Sequence, residues 1–291
     1  MNQVSGKNGF ALRFAPHLSF PSMEQPPFLH SAGSVDPVAQ IRYAAEQGFA
    51  GVEDIVLVER SKTDQDRMGA ELARTGLEMG CFTLNREDTW KPLLGSNDPD
   101  ARAYLIKAVG IAIEAAKRVN GKRICVAQVA DTKIPLGYQW AAAGENLKRM
   151  GAVAEKAGMM LVVEPVAHYR IPNMLFASMS DTYAVLKIID TPSVRLLFDV
   201  FHAQMQDGNI IDNMTRCWDM IAVIQAADTP GRFELGSGEL NWPNILKFAL
   251  DKGYRGLIGL EHGYANPGRD GEQRALESLR RVDAATAALL N

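Results

Sequence analysis

Cysteine, histidine and long apolar stretches are all scarce in this chain, and each scarcity excludes something. Its 291 residues include three cysteines and five histidines. Cys81, Cys125 and Cys217 are odd in number, widely spaced and set among apolar neighbours, which argues against a disulfide framework or a cysteine-rich zinc site. They read as small core residues. No apolar stretch approaches the roughly 20 residues of a membrane span, and the opening MNQVSGKNG lacks the apolar centre of a secretion signal. A cytoplasmic protein with no membrane partner is expected. The balance of 31 basic against 34 acidic residues gives a net charge of -3, with no basic run to follow a phosphate backbone, so nucleic acid is not an expected partner. No dinucleotide-type GxGxxG opens the first strand–helix pair, which removes the usual signature of a Rossmann sheet.

What the chain does have is a large apolar fraction, 47%, arranged in alternating patterns. Short apolar runs (FALRFA, GVEDIVLV, LEMGCFTL, RICVAQVA, LVVE, RLLFD, AVIQ and GLIGLE) are separated by amphipathic segments. Some of these are DPVAQIRYAAEQG, the stretch around DQDRMGAELARTG and DARAYLIKAVGIAIEAAKRVNG; others lie near 140–157, 180–189, 211–219, 243–252 and 271–289. Runs of the first kind are strands buried on both faces, and the second kind are helices. Eight such units predict a closed α/β (β/α)₈ TIM barrel, formed as one domain over residues 10–291 after a polar tail at 1–9. Gly48, Gly76, Gly121, Gly158 and Gly253 each follow a helical pattern and precede a strand, where a left-handed residue often ends a helix. Two inserts, at 19–35 with Pro21, Pro26 and Pro27 and at 85–99, follow strands and should lie on the working face of the barrel.

Four of the strands end in a potential metal ligand: Glu164, Asp199, Gln225 and Glu261. Side chains alternate along a strand, so Val162/Glu164, Leu197/Asp199, Val223/Gln225 and Gly259/Glu261 can face inward together, apolar below and polar on top. Any one of these residues could instead cap a helix or satisfy a loop. Four at successive strand ends point to a shared site. An oxygen-rich set of this kind favours Mg²⁺ or Mn²⁺. Such a metal would polarise the carbonyl of an α-hydroxycarbonyl compound and stabilise the enediolate left when the adjacent C–H loses its proton, with Glu164 and Glu261 as the acid/base pair. His202, three residues past Asp199, is expected on a turn where it can meet substrate. Arg232 could pair with a substrate carboxylate or be held by Glu234. His17, Asn85 and Gln128 close the first, third and fourth strands as further candidates for the pocket wall, and His168 and His262 stand near the two glutamates.

The segments VVEP, FDVFHAQMQDGNI, VIQAADTPGRFELGSGELNW and GLIGLEHGY closely resemble the hydroxypyruvate isomerase branch of the xylose isomerase-like TIM barrel superfamily. RFAPHLSF and GFAGVED, with Glu53, add to the match. The resemblance implies Glu164, Asp199, Gln225 and Glu261 as metal ligands, Glu164 and Glu261 as the acid/base pair, and His202 and Arg232 as substrate contacts. Gln225 leans toward this branch, since related ketose 3-epimerases usually carry His there. The implied activity is isomerisation of a small hydroxyketo acid or sugar. Ketose 3-epimerisation, a dehydratase or lyase reaction, and sugar binding without turnover are the alternatives. The His-rich multi-zinc endonucleases of the same fold match this chain poorly. A homo-oligomer is compatible with the sequence.

Overall fold

The structure, a computed structural model, describes residues 9–20 and 22–290. Most of the polar tail, together with Pro21 of the first insert, lies outside the described residues. The strands are short and parallel: β1 (Phe14–Pro16), β2 (Gly51–Val52), β3 (Glu78–Met79), β4 (Cys81–Thr83), β5 (Arg123–Val126), β6 (Met160–Val163), β7 (Val194–Asp199), β8 (Ile221–Ala226) and β9 (Ile258–Leu260). Seven of them form one sheet in the order β1-β9-β8-β7-β6-β5-β4, and β2 pairs with β3.

Backbone hydrogen bonds on both sides of β2 close the ring. Ala50 and Glu53 donate to Phe14 and Pro16 at 3.0 and 2.9 Å, while Glu78 and Gly80 donate to Ala50 and Val52 at 3.2 and 2.8 Å. β3 and β4 are one stave interrupted at Gly80, so the eight expected staves are present. The helices start where capping residues allow. Asp36, Ser61 and Asp98 accept hydrogen bonds from the backbone of the helices Pro37–Glu46, Lys62–Thr75 and Pro99–Val119, each cap being worth about 1 kcal/mol. At the other ends Gly48, Gly76, Gly158 and Gly253 take positive φ as expected. Gly121 does not: Asn120 adopts φ 53° instead, and a Cβ on Gly121 would stand 3.0 Å from the Phe82 ring, so that glycine serves packing.

Two apolar layers follow from the alternation of side chains along the strands. Outward residues such as Leu196, Phe198, Ile224 and Ile258 join the main core beneath the helices, where Leu105, Leu147 and Leu246 meet them. Inward residues Cys81, Cys125, Val162, Leu197 and Val223 form a separate buried cluster that fills the barrel. The three cysteines are free and buried. Among the described residues no helix is long and apolar enough to cross a membrane.

Two departures of the observed strands from the expected ones shape the site. GVEDIVLV is extended only through Val52, because the buried Asp54 carboxylate binds the Ser19 hydroxyl and the Arg60 guanidinium and turns the chain into a 3₁₀ turn at Leu57–Glu59. RLLFDVF bends directly into the helix Val200–Gln206, since Asp199 Oδ1 accepts from the Phe201 amide at 2.8 Å. His202 therefore sits in the first turn of a helix rather than on a turn.

Candidate active site

A cavity of about 320 Å³ opens at the carboxyl ends of the strands. His17, Glu164, His202, Gln225, Arg232 and Glu261 form its polar wall. The inward pairs of β6, β7 and β8 produce this arrangement: Val162, Leu197 and Val223 close the barrel below, and Glu164, Asp199 and Gln225 stand one step above them. Asp199 and Gln225 are direct neighbours in the parallel register, as are Gln225 and Gly259. The side chains of Glu164 and Glu261 are 12% and 14% exposed against 1% for Asp199, so the glutamates reach the cavity and the aspartate lies beneath it.

Arg232 ties this wall together. It lies in the loop after β8, at φ 55°, held by its amide bond to the Asp228 carbonyl at 2.9 Å. The Asp228 carboxylate in turn accepts from the amides of Thr229, Gly236 and Leu240 and fixes the loop. Arg232 Nη2 donates to Asp199 Oδ2 at 3.2 Å and forms an ion pair with Glu261 Oε1 at 2.9 Å. Nη1 donates to His202 Nε2 at 2.7 Å, and Nε to the Glu261 carbonyl at 3.1 Å. A guanidinium can only donate, so the His202 Nε2 lone pair faces it, while the Ala167 amide points at Nδ1 from 3.4 Å. Glu234 is not its partner; that carboxylate accepts from the Ala265 amide.

On the other flank, Glu53 occupies a slot between two glycines. A Cβ on Gly80 would come within 2.8 Å of Glu53 Cγ, and one on Gly259 within 2.2 Å of Glu53 Oε2. From that slot Glu53 Oε2 accepts from Gln225 Nε2 at 2.8 Å and lies 2.7 Å from His17 Nε2.

The charges in the site are strained by burial. Burial, then repulsion from Glu261 and Asp199, holds the Glu164 carboxyl well above the usual range. Asp199 is pushed up to about 6 by burial, with Arg232 offsetting part of the effect. Burial, then the positive charges of Arg232 and Arg170, holds the His202 ring well below its ordinary value, so it is neutral. His17 goes the other way: burial opposes its charged form, but Glu53 and Glu261 outweigh that and raise it.

These features fit a hard divalent cation. Gln225 Oε1 is buried without a hydrogen-bond partner, its amide nitrogen being committed to Glu53. Three carboxyl groups, Glu164, Asp199 and Glu261, gather around one guanidinium, more acid than a single cation can pair. Glu164, Asp199 and His202 offer ligand atoms within 4.8 Å of one another. The His202 nitrogen is already engaged by Arg232, which favours the oxygen donors as ligands.

Not every sequence candidate lies at the cavity. Asn85 caps the 3₁₀ turn Arg86–Trp90, accepting from the Glu87 amide, and Gln128 Oε1 accepts from the Leu94 amide at 2.7 Å. Both support the loop at 85–99 rather than line the cavity, because their amide groups satisfy backbone donors there. His168 bonds the Met174 carbonyl and His262 that of Gly263, and neither joins the wall. Conversely, Cys125 Sγ lies 3.3 Å from Glu164 Oε2, and Arg86, Trp90 and Arg170 line the cavity without having been singled out. Glu53, which supports the wall from behind, did carry a sequence signal, in GFAGVED.

A closed parallel (β/α)₈ barrel with its polar cluster at the carboxyl ends of the strands is the class of protein these observations define. The chain belongs to the xylose isomerase-like TIM barrel family, which matches residues 41–283. It is 28% identical to hydroxypyruvate isomerase of Escherichia coli strain K12 over 79% of this chain and 89% of that protein. It is 27% identical to 2-oxo-tetronate isomerase of Cupriavidus necator over 75% and 84% of the two chains. These relatives are isomerases. A solved structure of L-ribulose 3-epimerase superposes with a TM-score of 0.76 at 15% identity, covering 95% of each chain, which is a likeness of fold.

Proposed function

We propose that the protein is a divalent-metal-dependent isomerase that moves a proton between adjacent carbons of a small α-hydroxycarbonyl acid or sugar, of the hydroxypyruvate or 2-oxo-tetronate kind. One observation carries this reading. Two glutamates at the ends of β6 and β9 reach a single cavity above Asp199 and the unpartnered Gln225 Oε1.

Glu164, Asp199, Gln225 and Glu261 would hold Mn²⁺ or Mg²⁺, which supplies positive charge to polarise the substrate carbonyl. Glu261, fixed by its ion pair with Arg232, removes the proton from the carbon next to the carbonyl. Glu164, which reaches the same cavity from the end of β6, returns a proton to the neighbouring carbon. Neutral His202 lines the cavity beside them and holds Arg232 in place through Nε2. The apolar layer of Val162, Leu197 and Val223 keeps water from below. A cytoplasmic location accords with three buried free thiols.

The test is turnover of hydroxypyruvate and of small ketoses with Mn²⁺ in D₂O, read by NMR. Deuterium on the original carbonyl carbon of an isomerised product supports the reading. Exchange with inversion at one carbon would assign ketose 3-epimerisation, which the fold likeness to L-ribulose 3-epimerase favours as the second reading. Loss of a hydroxyl would assign a dehydratase or lyase, and binding without exchange a sugar-binding barrel.

A further inference from the structure

The polar wall of the cavity leaves open which residue distinguishes an acid substrate from a neutral one. Arg232 is the sequence candidate, but three of its five N–H donors are taken by Asp199, His202 and a backbone carbonyl, and it is also ion-paired with Glu261. Its charge is already spent on two carboxylates. Two other arginines line the same cavity, Arg86 and Arg170. Arg86 stands among acids: its amide donates to Glu59 Oε1, and its charge acts on both Glu59 and Glu24. Neither guanidinium makes a hydrogen bond or ion pair among the described residues; Arg170 differs in its place, the loop that follows Glu164, where its backbone is tied to the Ala167 carbonyl. The wall away from the carboxylates is mostly apolar, with Phe20, Ile55, Phe82, Trp90, Val166 and Ile171, and offers few partners for the distal hydroxyls of a longer sugar.

Resting on the isomerase reading above, we infer that Arg170 is the specificity residue that binds the carboxylate of the substrate, and that the substrate class is a short α-keto acid rather than a neutral ketose. A planar guanidinium with free donors takes a carboxylate in bidentate fashion, which an already paired one cannot do.

The experiment uses a matched pair of substrates, hydroxypyruvate and dihydroxyacetone, which differ by a carboxylate in place of a hydroxymethyl group. Arg170→Met is expected to lower kcat/KM for hydroxypyruvate by about 10- to 100-fold, mainly through KM, as for loss of one charge-assisted bidentate contact. The loss on dihydroxyacetone should be at least about tenfold smaller. Arg170→Lys should recover part of the loss, since it keeps the charge but not the fork. Equal losses on both compounds, no loss on the acid, or a selective loss in Arg86→Met instead would overturn the inference. If the wild-type protein turns over neither compound, the isomerase reading fails on its own. Calorimetric binding of hydroxypyruvate with Mn²⁺ then decides separately: equal affinity in wild type and Arg170→Met overturns the role of Arg170, and a tenfold weaker affinity in the variant upholds it.

Discussion

Glu53 Oε2 accepts a hydrogen bond from Gln225 Nε2 at 2.8 Å, and this contact determines which end of the Gln225 amide is free. A carboxylate only accepts, so the amide nitrogen must face it and the oxygen must face away. The oxygen is the buried atom without a partner. Glu53 thus acts on the proposed metal ligand without touching the cavity: it is a positioning residue, seated in the gap left by Gly80 and Gly259.

From this follows a first prediction. Glu53→Leu removes the acceptor and frees the amide to rotate, so Mn²⁺ affinity measured by calorimetry should fall by about 10- to 100-fold, the usual cost of losing an outer partner of a metal ligand. Glu53→Gln should restore part of it, because its side-chain oxygen can still accept from Gln225 Nε2. Unchanged affinity in Glu53→Leu would show that Gln225 is not a ligand.

A second prediction separates coordination from proton transfer. Glu261→Gln keeps an oxygen for a metal but removes the proton acceptor. We expect kcat to fall by a factor on the order of 10² or more, with metal content partly kept. Near-normal turnover would refute the role given to Glu261.

Much of this site is legible in the sequence because it obeys the period of a strand. Glu164, Asp199 and Gln225 could be placed together since Val162, Leu197 and Val223 lie two residues before them and must face the same interior. The parts that were not legible depend on contacts without a period. Glu53 follows a strand of two residues, and the apolar IVLV after it reads as a continuing strand until the Asp54 ion pair with Arg60 is seen. Cys125 reads as filler, and only the barrel register brings its thiol to Glu164. Arg232 returns to Asp199 through a loop organised by the Asp228 carboxylate, a fact of tertiary geometry that no local pattern carries.

A third prediction concerns pH. Glu164 and Asp199, the latter at about 6, hold their protons more tightly in the fold than carboxylates do in an unfolded chain, near 4. A raised folded value means that their contribution to stability is full below about pH 4; that of Asp199 is lost as pH rises through about 6, and that of Glu164 as pH rises through its own raised value. His202, held low by burial, contributes the opposite slope, so the informative quantity is the change caused by metal. Because a cation must displace those protons, the rise in Tm when Mn²⁺ is added to chelator-treated protein should be larger at pH 7.5 than at pH 5. An equal rise at both values would mean that Mn²⁺ binds elsewhere.

The last prediction addresses Arg232, whose role shifts from reading the substrate to holding the site. Its guanidinium bridges Asp199 and Glu261 with its own side chain only 9% exposed, so Arg232→Met would leave two adjacent carboxylates without their counter-ion. Breaking a buried pair on one side costs about 3 kcal/mol, and urea unfolding of the chelator-treated variant at pH 7.5 should show a loss of that order. The loss should shrink at pH 5, where Asp199 takes up its proton and no longer needs the arginine. Turnover should fall to a similar degree on hydroxypyruvate and on dihydroxyacetone, since what is lost is the placement of Glu261 rather than a contact to one substrate. A loss confined to hydroxypyruvate, with stability unchanged, would return carboxylate recognition to Arg232.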